Sequence, residues 1–374
     1  ASSSRLIEAL RPGHAPSPMV TDRFRSLQNE PGRHAGQNLP LTVTSYAGIA
    51  ALLPNHALDL NTGIPSRYFP QSPGYAQRPA RNQAPVIAER MRKIVAAIGR
   101  HEPLALAATG GFDSRVIQAA ITANADVANR IDTFTFQYPH DPAGTDPDLV
   151  AMRQLAEIPG LTFRVIPAEA ENPGRDIRDT LAQSEEFFAT GFAGWAEQAA
   201  TEFAPGTLIL MGWASEIARG FYRWPGSDRV TPAQLAGCGG VGDIAEMLPE
   251  FERWLPGAEA ASQATGIPVL DLFYWENRVG RWCGPGLNIL NTTSNWITPF
   301  SCRLLLDALL QTRETDRIGG RQTLYREIVA ALNPDLLDVA INPVPLTVQV
   351  RNAVIGRLKS VKHTVRNAIK PQNA

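Results

Sequence analysis

The stretch Leu104–Arg115, LALAATGGFDSR, constrains the chain more than any other segment. Its first six residues are a continuous apolar run, which suits a strand covered on both faces. Gly110 and Gly111 then turn the chain, and a helical pattern opens at about Asp113 and runs to about Asn124. A strand that passes through two glycines into a helix lets backbone N–H groups approach a ligand, and the helix N-terminus favours negative charge there. These residues point to a polyphosphate held by Thr109, Gly110, Gly111 and Ser114, with Asp113 as a hard oxygen ligand for Mg²⁺. The same residues also suit a plain tight turn with Asp113 as a helix N-cap. The spacing fits neither GxxxxGK[ST] nor GxGxxG, which excludes Walker and dinucleotide-binding loops.

The strand–helix alternation continues downstream. DTFTFQY (132–138) is a β-branched and aromatic strand, followed by a Pro/Gly/Asp loop and a helix near Asp146–Glu157. LTFRVIPA (161–168) reads as a third strand, helical stretches follow near Asp176–Ala204, and TLILMGW (207–213) is a fourth strand leading into SEIARGFY. This order predicts an α/β fold with a parallel twisted sheet, right-handed crossovers and ligands at the carboxyl ends of the strands. After residue 225 the pattern becomes mostly helical, with the Gly-rich loop Gly237–Gly242 free to move between the halves.

Upstream, residues 1–40 read as a mobile arm or the remnant of a preceding segment, and 41–70 as short extended pieces joined by turns. A regular helical pattern starts at Pro85 with VIAERMRKIVAAIGR. The expected organisation is an arm and linker over 1–84, a nucleotide-binding domain over 85–349, and a tail over 350–374. That tail holds seven basic residues and no acid, with apolar residues at helical spacing, so it suits a membrane surface, an acidic partner or the domain's own negative face.

Net charge of −1 gives no basic excess for tracking phosphates, so no nucleic-acid partner is expected. Cys238, Cys283 and Cys302 form no CxxC spacing, which argues for reduced thiols and against a zinc ribbon or disulfide framework. No apolar run reaches membrane-spanning length and no signal-peptide core is visible, so a soluble, cytoplasmic chain is expected. His56, His101 and His140 have no metal spacing with one another; His140 would follow the second strand at the ligand-bearing edge. Trp195, Trp275 and Trp282 suit either core packing or the wall of an apolar acceptor pocket.

The loop Thr109–Ser114 resembles the S-G-G-x-D-S pyrophosphate loop of the PP-loop ATP pyrophosphatases, with threonine for the first serine. A second match strengthens it. Gly212-Trp213-Ala214-Ser215-Glu216-Ile217-Ala218-Arg219-Gly220-Phe221-Tyr222 resembles G-E-G-A-D-E-L-F-G-G-Y of the asparagine synthetase and β-lactam synthetase branch, at the same length. YAGIAALLPNHALDLNTGIPSRYFP (46–70) is similar to the end of that family's glutaminase domain, TPFSCRLLLDALL to its R-x-P-F-L-D element, and QTLYREIVAALNPDLL to K-Y-I-L-R-x-A-x-x-x-x-L-P. The resemblance covers about residues 45–345.

The resemblance implies a PP-loop fold with ATP and Mg²⁺ as cofactors, the metal held by Asp113 and Glu216, and adenine received by backbone groups near Phe136, with Gly212 beside the nucleotide. It implies an amide-forming ligase that adenylates a carboxylate, releases pyrophosphate and transfers the acyl group to an amine or ammonia. Departures shape the expectation. Trp213 stands where the family has glutamate or a tyrosine; indole cannot act as a base, so Trp213 is expected to wall a substrate pocket or to pack in the core. Asn295-Trp296-Ile297 replaces the E-x-R that suits a small charged amino acid, which makes aspartate a poor candidate substrate.

The family lysine after L-P is absent from Asn333–Pro343, and only four of the 35 cations are lysine. Arg326 and Arg321 are therefore the candidate catalytic cations, with Arg351 or the tail's Lys359 as others. The chain begins Ala1-Ser2-Ser3 without the glutaminase's N-terminal cysteine, so glutamine-derived ammonia would need a separate glutaminase. A precursor-carrying protein or peptide could supply the amine instead, as in a β-lactam synthetase-like cyclase. An inactive nucleotide-binding pseudosynthetase is the further alternative.

Overall fold

A computed structural model of the chain describes residues 4–22, 24, 38–70, 77–101, 103–137, 146–159, 161–167, 190–223, 229–318 and 321–343. The centre is a five-stranded, all-parallel sheet of β3 (Leu104–Ala107), β4 (Ile131–Gln137), β5 (Arg164–Pro167), β6 (Leu208–Leu210) and β7 (Asn295–Ile297). Their order across the sheet is β5-β4-β3-β6-β7. The sheet's first strand, β3, thus lies in the middle, and the order of strand addition reverses between β3 and β6. Leu106 pairs with Thr133 of β4 and with Leu210 of β6. Two further strands, β1 (His56–Leu58) and β2 (Pro65–Arg67), form a separate antiparallel hairpin.

The apolar strand residues divide between two cores because successive side chains alternate across a sheet. Leu104, Leu106, Ile131 and Leu210 join the larger core with the helices Ala80–Ile98, Phe112–Thr122 and Thr323–Leu332. Ala105, Phe134, Ile166 and Ile209 join the smaller one, which Ala196 and Ala199 of the helix Thr190–Glu202 and Leu290 of Gly284–Leu290 complete. Helices thus cover both faces, which is why LALA carries no polar position.

The four expected strands are present; three are shorter than expected, and β4 has the expected seven residues, shifted by one. β7 escaped sequence reading: three residues carry no readable period. Trp296 at its centre is 1% exposed, and its backbone N–H donates to Asn291 Oδ1 at 2.6 Å. The first long helix starts at Ala80 and carries Pro85 at its sixth position, where the missing N–H removes one i→i−4 bond near the helix start. Gly237 belongs to the helix Pro232–Cys238, and a turn through Gly239–Gly240 follows it, so only part of the Gly-rich stretch is loop.

The described part of the expected arm packs into the main core: Val20, Phe24, Leu39 and Leu41 are buried with the helices of the C-terminal half. Asn277 Oδ1 accepts from the Leu41 N–H at 2.9 Å, and Arg281 donates to the Leu39 and Val43 carbonyls. These anchors sit on Tyr274–Cys283, a ten-residue π-helix. Among the described residues no helix is long and apolar enough to cross a membrane. The three cysteines are free. The basic segment 350–374, Arg351, His140 and residues 176–189 lie outside the described residues.

One buried charge ties the glycine loop to the chain's later turns. Arg115, fully buried in the helix after the loop, donates to the carbonyls of Leu336 (2.6 Å), Val339 (2.9 Å), Gly110 (3.3 Å) and Ala340 (3.4 Å). Burial lowers its pKa to about 10, still high enough to keep it charged at neutral pH. The Asn342 N–H adds a further bond to the Gly110 carbonyl at 3.0 Å. Arg115→Leu keeps the volume apolar but strands these carbonyls, and should cost about 2–4 kcal/mol in urea unfolding. A loss below about 0.5 kcal/mol, the range of neutral surface changes, would show that the carbonyl shell is dispensable.

Candidate functional site

A cavity of about 290 Å³ opens at the carboxyl ends of the central strands, beside the point where strand order reverses between β3 and β6. Crevices at such switch points are where open parallel sheets receive ligands. Thr109, Asp113 and Ser114 of the glycine loop form one wall, and Gly212, Trp213 and Glu216 after β6 form the facing one. The two motifs, about a hundred residues apart in the chain, meet here.

Their meeting depends on Gly212. A Cβ at this residue would stand 2.8 Å from Asp113 Cβ and 2.9 Å from the Ser114 nitrogen, closer than any side chain can come. Ser215 then reaches Asp113 Oδ1 with its hydroxyl, and the Ser215 carbonyl accepts from the buried Tyr325 hydroxyl at 2.8 Å. The segment turns through Ala214 at φ 73° and Gly220 at φ 61°. Left-handed backbone is natural for glycine and costs about 1–2 kcal/mol for alanine.

The loop itself is internally bonded. Ser114 Oγ accepts from the Thr109 N–H at 3.0 Å and donates to the Thr109 carbonyl at 2.9 Å. The Gly110 N–H donates to Asp148 Oδ1 at 2.8 Å, and a Cβ on Gly110 would lie 3.0 Å from Ala151 Cβ. Gly110 is therefore required by the neighbouring helix Pro147–Leu155, whereas sequence reading assigned that room to a ligand. No side chain caps the helix Phe112–Thr122 at Gly111, which leaves its first-turn N–H groups at the cavity wall without a protein cap.

Asp113 and Glu216, the expected metal carboxylates, approach each other from the two walls, and Arg219, which lies behind the lining, contacts both. Arg219 Nη2 donates to Asp113 Oδ2 at 2.7 Å and lies 3.8 Å from Glu216 Oε1. Burial and the Glu216 charge push the Asp113 carboxyl up to about 8, against the pull of Arg219. Glu216 is raised by burial, with Arg219 and Arg278 opposing. Asp146 and Asp148 also line the cavity, and burial raises Asp148 as well. Among the described residues there is no group of three or more His, Cys, Asp or Glu able to hold a metal. A metal here would take two carboxylates and complete its shell from water and ligand.

The remaining walls are aromatic. Phe134 and Phe136 of β4, Trp195 and Trp296 line the cavity, with Phe136 and Trp195 stacked at 5.8 Å. Trp213 lines the cavity and packs edge-on to Phe192 at 5.2 Å and against Trp282 at 5.6 Å. Arg278 stacks over Trp282 at 3.8 Å. Trp275 is elsewhere, against Phe69 and under Arg303.

Arg326 and Arg321 are exposed and do not line the cavity. Arg326 stacks on the Phe112 ring at 5.5 Å and donates to the Arg321 carbonyl. Arg219, Asp148 and Asn342 escaped sequence reading. An arginine three residues after Glu216 was the available signal for the first, and the acidic start of the helix after β4 for the second; Asn342 carried none.

No protein-family model matches the chain, and no curated protein matches it.

A raised carboxyl pKa favours the protonated folded form. The contribution of Asp113 to stability is thus complete below its ordinary 3.8 and is eroded as pH rises towards about 8. In chelator-containing buffer, Asp113→Asn should flatten the fall in melting temperature between pH 5 and 8.5. An unchanged slope would mean that this carboxyl does not titrate in that window.

Proposed function

We propose that the chain is an ATP-dependent, AMP-forming carbon–nitrogen ligase of the asparagine synthetase and β-lactam synthetase type, built on a PP-loop ATP pyrophosphatase domain. The observation that carries this reading is the contact of Gly212 with the Asp113–Ser114 backbone, which joins the two motifs at one cavity. The backbone offers a second support. Of the resembled motif's four glycine positions, Gly212, Ala214, Gly220 and Phe221, the first admits no Cβ here and the next two have positive φ.

Thr109, Gly110, Gly111 and Ser114 would border the pyrophosphate at the uncapped helix start. Phe136 would lie beside the adenine at the end of β4, and Gly212 would hold the loop at the nucleotide by admitting the Asp113–Ser114 backbone. Asp113 and Glu216 fit Mg²⁺, which prefers hard oxygens and keeps positions for water and phosphate; when bound it would neutralise charge on the phosphates. The need for a cation is physical, since Asp113, Asp146, Asp148 and Glu216 would otherwise face a polyanion.

The aromatic walls set by Trp213, Trp195 and Trp296 favour a bulky carboxylate over aspartate, and Trp213 supplies no base. The carboxylate would attack the α-phosphate to give an acyl adenylate and pyrophosphate; the amine would then displace AMP. Positioning and charge neutralisation supply the rate. Arg326 and Arg321, exposed and away from the cavity lining, are not placed to touch the reacting groups. The amine would come as ammonia from a separate glutaminase or on a small-molecule or peptide precursor. One observation favours a second reading, a pseudosynthetase: Arg219 already engages Asp113.

ATP–pyrophosphate exchange, screened across aromatic and aliphatic acids, should be supported by at least one acid and should fall at least about 100-fold in Asp113→Asn and Gly212→Ala. Formation of ADP would contradict the reading. Nucleotide binding without exchange for any acid would favour the pseudosynthetase.

A further inference from the structure

Arg219 belongs to neither of the expected cation positions, and its surroundings leave its charge incompletely used. It is half-buried at the end of the turn Ser215–Ala218, where the resembled motif has phenylalanine. One nitrogen is bonded to Asp113 at 2.7 Å and lies 3.8 Å from Glu216. Its guanidinium carbon lies 5.7 Å from the Tyr325 ring centroid. Its Nε is buried without a hydrogen-bond partner, a costly arrangement for a guanidinium donor.

The other arginines near the loop are committed or outlying. Arg115 is surrounded by four carbonyls, Arg278 lies on Trp282, and Arg321 and Arg326 are exposed outside the cavity.

We infer that Arg219 is the phosphate-binding cation of this cavity: it bridges the two carboxylates while the site is empty, and exchanges them for phosphate oxygens when a magnesium-bound nucleotide enters. The inference rests on the ATP reading above. Two properties of the place make the exchange favourable. A divalent cation that takes Asp113 and Glu216 removes the partners that hold the guanidinium, and the released fork matches phosphate oxygens with its parallel donors. The unpartnered Nε then gains an acceptor. The same exchange answers the missing lysine, because the charge comes from the turn that also carries Glu216 rather than from Asn333–Pro343.

A competitor for the metal ligands that also serves as a ligand for phosphate has an uncommon mutational signature. Removing it should strengthen metal binding and weaken nucleotide binding, whereas removing a merely structural residue weakens both. Mn²⁺ affinity is read by its electron paramagnetic resonance signal without nucleotide. The affinity for the non-hydrolysable analogue AMP-PNP, at saturating Mg²⁺, is read by quenching of the cavity tryptophans.

Arg219→Ala should bind Mn²⁺ several-fold tighter and AMP-PNP about tenfold or more weaker. Arg219→Lys, which keeps a charge but not the fork, should lie between wild type and Arg219→Ala for both ligands. Melting curves confirm that each variant is folded, and if Arg219→Ala is not, the lysine variant decides by the same pair of signs. Loss of affinity for both ligands, or unchanged AMP-PNP affinity, overturns the role of Arg219. Failure of the wild type to bind AMP-PNP at all overturns the nucleotide reading itself, and this inference with it.

Discussion

Everything at the cavity follows from one close approach, that of Gly212 to the backbone of Asp113 and Ser114. Strand order puts β3 and β6 side by side, and the chain leaves both at their carboxyl ends. A parallel neighbour brings the two exits within reach, but contact needs a residue without a side chain. Once Gly212 lies against the helix start, Ser215 meets Asp113, Tyr325 fastens Ser215 from below, and Glu216 and Arg219 arrive beside the same carboxylate. The strained turn at Ala214 is retained because these contacts fix the backbone on both sides of it.

Charge gives the site its second character. Four carboxyl groups line a space together with five aromatic side chains, and burial raises Asp113, Asp148 and Glu216 towards protonation. Such a cavity is a poor receptor for a bare polyanion and a good one for a polyanion that brings its own cation. The chain answers with arginine throughout, in keeping with its four lysines. Arg115 is spent on four carbonyls and holds the loop to residues 336–340, while Arg219 pairs with Asp113 and keeps an unpartnered Nε. Rigid forks at fixed positions suit a site that works by placement.

Much of this was legible in the residues. LALAATGGFDSR announced a buried strand, a turn and a helix because each signal is strong and local, and the alternation behind it was enough for an α/β fold with a parallel sheet. The meeting of Asp113 and Glu216 at one cavity was legible only through the resemblance of their two motifs to those of the synthetases. What stayed hidden was tertiary. β7 is too short to have a period, and the need for Gly110 comes from Ala151 and Asp148 on another helix. The buried Arg115 looks in sequence like any helical surface arginine. Arg321 and Arg326, chosen because they lie near the missing lysine in the chain, are exposed outside the cavity, whereas Arg219 is brought beside Asp113 by the turn after Glu216.

The central claim is that the two motifs form one nucleotide site. A crystal structure with AMP-PNP and Mn²⁺ tests it most directly. The account predicts phosphates against Thr109–Ser114, an anomalous Mn²⁺ peak at Asp113 and Glu216, and Arg219 turned from Asp113 to a phosphate oxygen. Nucleotide bound elsewhere, or a cavity that stays empty at saturating ligand, would contradict it.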